Sequence, residues 1–98
     1  MSQPLFKKVA FIGLGLIGSS LARVIVAEKL ATNIVASTRS QKTLEDAKSL
    51  GLIQEGFSDP VEAVKGADLV VLALPVRATQ KVLELIKPHL TETTIVTD

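Results

Sequence analysis

The chain has 98 residues, 11 Lys and Arg against 10 Asp and Glu, a formal net charge of +1 and 47% hydrophobic residues. That hydrophobic content excludes disorder, and the balanced charge supplies no field for nucleic acid or an anionic membrane. With no Cys, Trp or Tyr and three Phe, disulfides, thiolate catalysis, Cys-bound metal and a base-stacking platform are excluded as well.

The length fits one small domain whose core buries about 60–65% of the unfolded surface. No apolar run reaches the roughly 18 residues of a membrane span. The segment Met1–Lys8 lacks the long apolar stretch and cleavage site of a secretory signal. A cytoplasmic protein is the expectation.

In chain order, residues 1–6 read as a short disordered lead. Lys7–Ile12 is the first strand, apolar on both faces at its centre, as in a parallel sheet covered by helices. Leu16–Lys29 is the first helix, with Ile17, Leu21, Val24 and Ile25 as its inner stripe and Arg23 and Glu28 toward solvent. Asn33–Ser37 is the second strand, followed by the loop Thr38-Arg39-Ser40. Gln41–Leu50 is the second helix, with Leu44, Ala47 and Leu50 on one face and Gly51 as its stop. Leu52–Gly56 is a short third strand. Asp59 caps a brief third helix and Pro60 takes its first position. Asp68–Leu74 is the most apolar strand, ended by Pro75. Ala78–Lys87 is the fourth helix, with Val82, Leu85 and Ile86 inward, and Pro88 breaks it. Thr93–Thr97 is a β-branched fifth strand. Short right-handed crossovers turn this alternation into an α/β, doubly wound parallel sheet of Rossmann type, ordered 3-2-1-4-5. Residues 1–98 form one domain. A sixth strand is usual in such folds, so either the unit is incomplete, with a second domain absent, or five strands suffice.

The organising feature is Gly13-Leu14-Gly15-Leu16-Ile17-Gly18, a G-x-G-x-x-G that leaves a strand and opens a helix. Gly13 allows the tight turn, Gly15 allows close approach of a diphosphate, and Gly18 lets the helix pack on the sheet. The helix N-terminus offers free N–H groups and the positive end of its dipole. Leu16 and Ile17 lie within this turn. A dinucleotide is the expected ligand.

The end of the second strand selects the cofactor. A carboxylate there accepts the ribose 2′-hydroxyl of NAD, whereas a 2′-phosphate calls for Arg. The position is held by Thr38, with Arg39 next, Ser37 and Ser40 flanking, and Lys42 one step further. A guanidinium with hydroxyls around it suits a phosphate, so NADP is expected over NAD. In the alternative, Arg39 stacks over adenine and Thr38 bonds the ribose, which leaves NAD possible. Leu74, Pro75 and Val76, at the carboxyl edge beside the switch point, either pack against the cofactor ribose or simply end the strand. Arg77 reads as a solvated helix-start residue.

No catalytic group is identified. His89 lies in Lys87-Pro88-His89-Leu90, at the edge of the sheet opposite the glycines and out of reach of a nicotinamide. Glu45, Asp46, Glu55, Asp59, Glu62 and Glu84 are scattered, and Asp68 reads as a cap or turn residue. No metal-ligand cluster or nucleophile–base pair is present.

The run Val9-Ala-Phe-Ile-Gly-Leu-Gly-Leu-Ile-Gly-Ser-Ser-Leu-Ala22 resembles the N-terminus of prephenate/arogenate (cyclohexadienyl) dehydrogenases. Ala47–Gly51, Ala67–Val76 and Thr97-Asp98 resemble the same family, so the likeness extends from about residue 7 to 98. It implies an enzyme of tyrosine biosynthesis that passes a hydride from prephenate or arogenate to NAD(P)+ with loss of CO2. The family's glycines carry over onto Gly13, Gly15 and Gly18. Its catalytic histidine, its substrate-binding arginines and the helical domain that forms its homodimer fall beyond residue 98 of the pattern. The resemblance therefore implies the N-terminal cofactor-binding part of a longer enzyme. Many members carry Asp where this chain has Thr38, a departure that puts NAD preference in doubt.

Two other readings stay open. β-Hydroxyacid-type reductases, such as relatives of 3-hydroxyisobutyrate dehydrogenase or pyrroline-carboxylate reductase, share the glycines and the proline after the fourth strand. They usually carry Met or Ala where this chain has Ile17 or Gly18. Nucleotide-sensing modules that gate potassium transport also open on G-x-G-x-x-G, but usually keep an acidic residue where this chain has Thr38.

Overall fold

Apolar strands alternating with amphipathic helices have one economical packing, a sheet with helices on both faces. The computed structural model describes residues 5–14, 16–91 and 95–97. Its elements are β1 (Phe6–Ile12), α1 (Leu16–Ala27), β2 (Ala31–Ser37), α2 (Gln41–Ser49), β3 (Glu55–Phe57), α3 (Pro60–Val64), β4 (Leu69–Leu72), α4 (Val76–Ile86), a 3-10 turn (Lys87–His89) and β5 (Ile95–Thr97). The sheet has five strands in the order β3-β2-β1-β4-β5, all parallel, as expected. The order reverses between β1 and β4, which makes their carboxyl ends the switch point where ligands of such sheets bind.

The period-2 pattern of β1 fills both faces. Val9 and Phe11 join one core cluster with Ala22, Ile25, Leu44 and Ala47 of α1 and α2. Ala10 and Ile12 join the other, with Ala63 and Val64 of α3 and Ile86 of α4.

Several boundaries differ from the sequence reading, each for a physical reason. Phe6 is the first residue of β1 rather than part of a lead: it pairs with Ala31, and its N–H donates to the Leu30 carbonyl at 3.0 Å. Residues 1–4 lie outside the described ones.

Helix α1 stops at Ala27 because Lys29 turns left-handed, with φ 53°. The Lys29 N–H donates to Val26 O at 3.2 Å and the Leu30 N–H to Ile25 O at 3.0 Å, a Schellman closure. Val24 is 51% exposed, so among the described side chains the inner stripe is Leu21, Ala22 and Ile25; the side chain of Ile17 lies outside them.

Helix α2 ends in the same closure around Gly51, with Gly51 N–H to Lys48 O at 3.0 Å and Leu52 N–H to Ala47 O at 2.9 Å. That reversal turns Leu50 outward, 63% exposed, and buries Leu52 and Ile53 in its place. Strand β3 therefore starts at Glu55, not Leu52. Gln54 precedes it as a half-rung of sheet, its N–H donating to Ile34 O at 2.8 Å and its Oε1 accepting the Ile34 N–H.

Asp59 caps α3, its Oδ1 accepting the Val61 N–H at 3.0 Å, with Pro60 at the first helical position. Asp68 accepts the Lys7 N–H at 2.8 Å and donates its own N–H to Lys8 O at 2.9 Å, so it ties the starts of β1 and β4. Strand β4 ends at Leu72, and α4 starts at Val76 rather than Ala78. Leu85 is 53% exposed, so the buried side of α4 is carried by Ile86, with Val82 and Leu83 partly buried against the core. Strand β5 spans Ile95–Thr97; Thr93 and Asp98 lie outside the described residues.

Candidate functional site

The carboxyl ends of β1, β2 and β4 form a continuous rim. The Gly13 N–H donates to Ser37 O at 2.7 Å, and the Ala73 N–H donates to Ile12 O at 2.8 Å. Gly13 is left-handed, with φ +84°. A Cβ built there would meet Ala73 O at 2.5 Å and Leu74 Cδ2 at 2.8 Å. Glycine is thus required by conformation and by space, the space being taken by the exit of β4. Leu14 is buried in the core beneath the turn. The Ser19 hydroxyl donates to the Leu14 carbonyl at 2.8 Å, which engages a carbonyl that an anion would avoid. Leu16, Ile17 and Gly18 form the first turn of α1. Gly15 lies outside the described residues.

The turn from β4 into α4 repeats this device. The Thr79 hydroxyl donates to Leu74 O at 3.3 Å and to Pro75 O at 3.0 Å. The Ser19–Leu14 and Thr79–Leu74 bonds both reach back five residues. Two hydroxyl latches therefore brace the two turns at the switch point.

At the end of β2, Ser37 is buried, and the Thr38 N–H donates to Phe57 O at 3.3 Å. The Ser40 Oγ accepts the Thr43 N–H at 3.2 Å and caps α2, while the Thr38 Oγ1 accepts the Ser40 N–H at 3.2 Å. Both hydroxyls are used as acceptors, which leaves their O–H groups as donors to an anion. The first turn of α2 carries no acid. Arg39 is exposed and makes no ion pair among the described residues; the pair they contain is Lys65–Glu62 at 3.1 Å.

These segments open onto one cleft of about 600 Å³. One wall is built from Ile12, Gly13, Ser37, Thr38 and Arg39, and another from Leu74, Pro75 and α4, with Ser58 and Pro60 between. Of the residues singled out in the sequence, Gly13, Ser37, Thr38, Arg39, Leu74 and Pro75 line the cleft; Ser40 stands behind them as the cap, and Val76 starts α4. Arg77 is exposed and outside the lining, and His89 is exposed in the 3-10 turn at the far edge.

The sequence reading missed Ser58, Ala78 and Lys81 as lining residues; Val82, read as inward, packs partly buried against the core while lining the cleft, whereas Leu85, also read as inward, is 53% exposed. The signal for the helical ones was partial: 78, 81, 82 and 85 have the i, i+3, i+4, i+7 spacing of one helical face, but the spacing does not say that the face meets a cleft. Among the described residues no group of acids and histidine could hold a metal, and no helix is long and apolar enough to cross a membrane. What the cleft can do is bind. Among the described residues its lining has a glycine turn, hydroxyl donors and cations, and no carboxylate.

Comparison with known proteins agrees with this geometry. The family described as NADP oxidoreductase coenzyme F420-dependent matches residues 8–98. The chain is 39% identical over 93 residues to the cyclohexadienyl dehydrogenase of Zymomonas mobilis, with 95% of this chain and 32% of that protein covered. It is 38% identical over 84 residues to the prephenate dehydrogenase of Lactococcus lactis, with 83% of this chain and 22% of that protein covered. The crystal structure of Aquifex aeolicus prephenate dehydrogenase in complex with hydroxyphenyl propionate and NAD+ superposes with a TM-score of 0.86 at 26% identity, over 100% of this chain and 34% of that one. The chain thus spans about a third or less of the length of these relatives. The resemblance read from the glycine turn is found along nearly the whole chain, and the chain belongs to the NADP oxidoreductase, coenzyme F420-dependent family.

Proposed function

We propose that this chain is the dinucleotide-binding domain of a longer, NAD(P)-dependent dehydrogenase that oxidatively decarboxylates prephenate or arogenate, and that NADP is its preferred cofactor. The observation that carries the cofactor preference is the exit of β2. Thr38 stands where NAD-selective folds place a carboxylate, and among the described residues Arg39 is unpaired and no carboxylate lines the cleft. The residues fit the group: Gly13, Thr38 and Arg39 line one cleft, and the hydroxyls of Thr38 and Ser40 keep their O–H donors.

When bound, the nicotinamide supplies the carbon that accepts the hydride. This chain's residues hold and orient. The first turn of α1 receives the diphosphate on backbone N–H groups, where the helix dipole favours negative charge. Thr38, Arg39 and Ser40 receive the 2′-phosphate, and Leu74 and Pro75 pack against ribose. Catalytic groups and dimer contacts are supplied by the rest of the enzyme, a division supported by the share of the relatives that this chain spans. A second reading, NAD as cofactor, is favoured by the NAD+ in the Aquifex structure.

Titration of the chain with NADP and NAD separates the two. NADP binds tighter in the proposed reading, and Arg39→Ala removes about tenfold or more of its affinity, the worth of a charge-assisted hydrogen bond. Tighter binding of NAD would refute the preference.

A further inference from the structure

We propose that Lys81 of α4 is a second cation for the 2′-phosphate, closing on it from the wall that faces the Thr38–Ser40 segment; this rests on the NADP reading above. Helical spacing puts Ala78, Lys81, Val82 and Leu85 along one strip of α4, and all four line the cleft that Arg39 lines from the end of β2. The strip is graded. Ala78 is small where α4 starts beside Pro75, Lys81 is cationic in the middle, and Leu85 is apolar and 53% exposed at the far end.

Lys81 has an acid within helical reach, Glu84 at i+3, yet it makes no ion pair among the described residues, whereas Lys65 pairs with Glu62 at the same spacing. Lys81 is exposed and lines a cleft that, among the described residues, holds one other cation and no carboxylate. Two like charges facing one cavity repel unless an anion lies between them, and a phosphate dianion is a ligand that uses both.

The test compares NADP and NAD affinities for the chain, Lys81→Gln, Arg39→Gln and the double variant, with Lys81→Arg as the conservative rescue and Lys87→Gln, at the opposite edge, as control. Lys81 is exposed, and an unchanged circular dichroism spectrum verifies folding. The expected result is a loss of about fivefold in NADP affinity for Lys81→Gln, no change for NAD, and recovery in Lys81→Arg. A spectroscopic readout accompanies it. The 31P signal of the bound 2′-phosphate titrates below its ordinary pKa of about 6 in the parent chain and moves back toward it in Lys81→Gln, since fewer cations stabilise the dianion.

If the parent chain prefers NADP and Lys81→Gln leaves both the affinity and the 31P titration unchanged, the role of Lys81 is overturned and the NADP reading stands. Equal losses for NADP and NAD overturn it too, because Lys81 would then serve a part of the ligand common to both. If the parent chain does not favour NADP, the underlying reading fails, and this one with it.

Discussion

Replacing Gly13 with Ala is the sharpest perturbation of the glycine turn, because two costs fall on one atom. The left-handed φ of +84° costs an L-residue about 1–2 kcal/mol. The new Cβ, at 2.5 Å from Ala73 O and 2.8 Å from Leu74 Cδ2, forces an overpacked contact worth about 1–3 kcal/mol. Leu74 can rotate away. The Ala73 carbonyl is held by a backbone whose N–H is bonded to Ile12 O, so it cannot move without disturbing the join of β1 to β4. The total, about 2–5 kcal/mol, is a large share of the roughly 5–15 kcal/mol that stabilises a domain.

Gly51→Ala is the internal standard. Its φ is +75°, and nothing lies within 4 Å of the added Cβ, so it reports conformational cost alone. Urea unfolding of both variants should place Gly13→Ala below Gly51→Ala by about 1–3 kcal/mol. Equal losses would show that the crowding by Ala73 carries no energy, and would refute the reasoning that ties the turn to the exit of β4.

Lys29→Gly should raise stability by about 0.5–1 kcal/mol, since Lys29 occupies a left-handed Schellman position with φ 53° that glycine adopts without strain; thermal unfolding measures it, and a fall in midpoint contradicts it. Ser40→Ala removes the cap of α2 and should cost about 1 kcal/mol of stability, together with a selective loss of NADP over NAD affinity in paired titrations. Gln54→Ala strips the Oε1 from the Ile34 N–H and should cost about 1–2 kcal/mol in urea unfolding; a neutral variant would mean that water replaces the side chain at that rung.

The sequence made the architecture legible because its strongest signals are local. The apolar centre of β1, the Asp59-Pro60 start of α3 and the Gly51 stop mark the elements locally, and their strand–helix alternation with right-handed crossovers gives the 3-2-1-4-5 order. The errors fall where tertiary structure overrides local pattern. Leu50 continues the apolar face of α2 in sequence, yet the Schellman turn swings it out and Leu52 in. Gln54 reads as a strand residue, but its side chain makes the rung that its backbone would have shared.

Leu85 has core periodicity on α4. Whether an apolar helix face meets the sheet or an open cleft depends on where the helix sits, and period alone cannot tell the two apart. The same blindness hid Lys81 and Ser58, whose place in the cleft is decided by elements distant in sequence. Gly13 and Thr38-Arg39, which the cleft brings together, and Ser40, which caps α2 beside them, were legible because turn and cap conformations are set by a few adjacent residues.

The dinucleotide site is best examined by following backbone amide signals of the 15N-labelled chain as NADPH is added. Shifts should concentrate at Gly13–Gly18, at Thr38–Ser40 and along the cleft face of α4, with those at Thr38–Ser40 weakened when NADH is used instead. Shifts gathered around the far edge near Lys87–His89, with the glycine turn unmoved, would contradict the site.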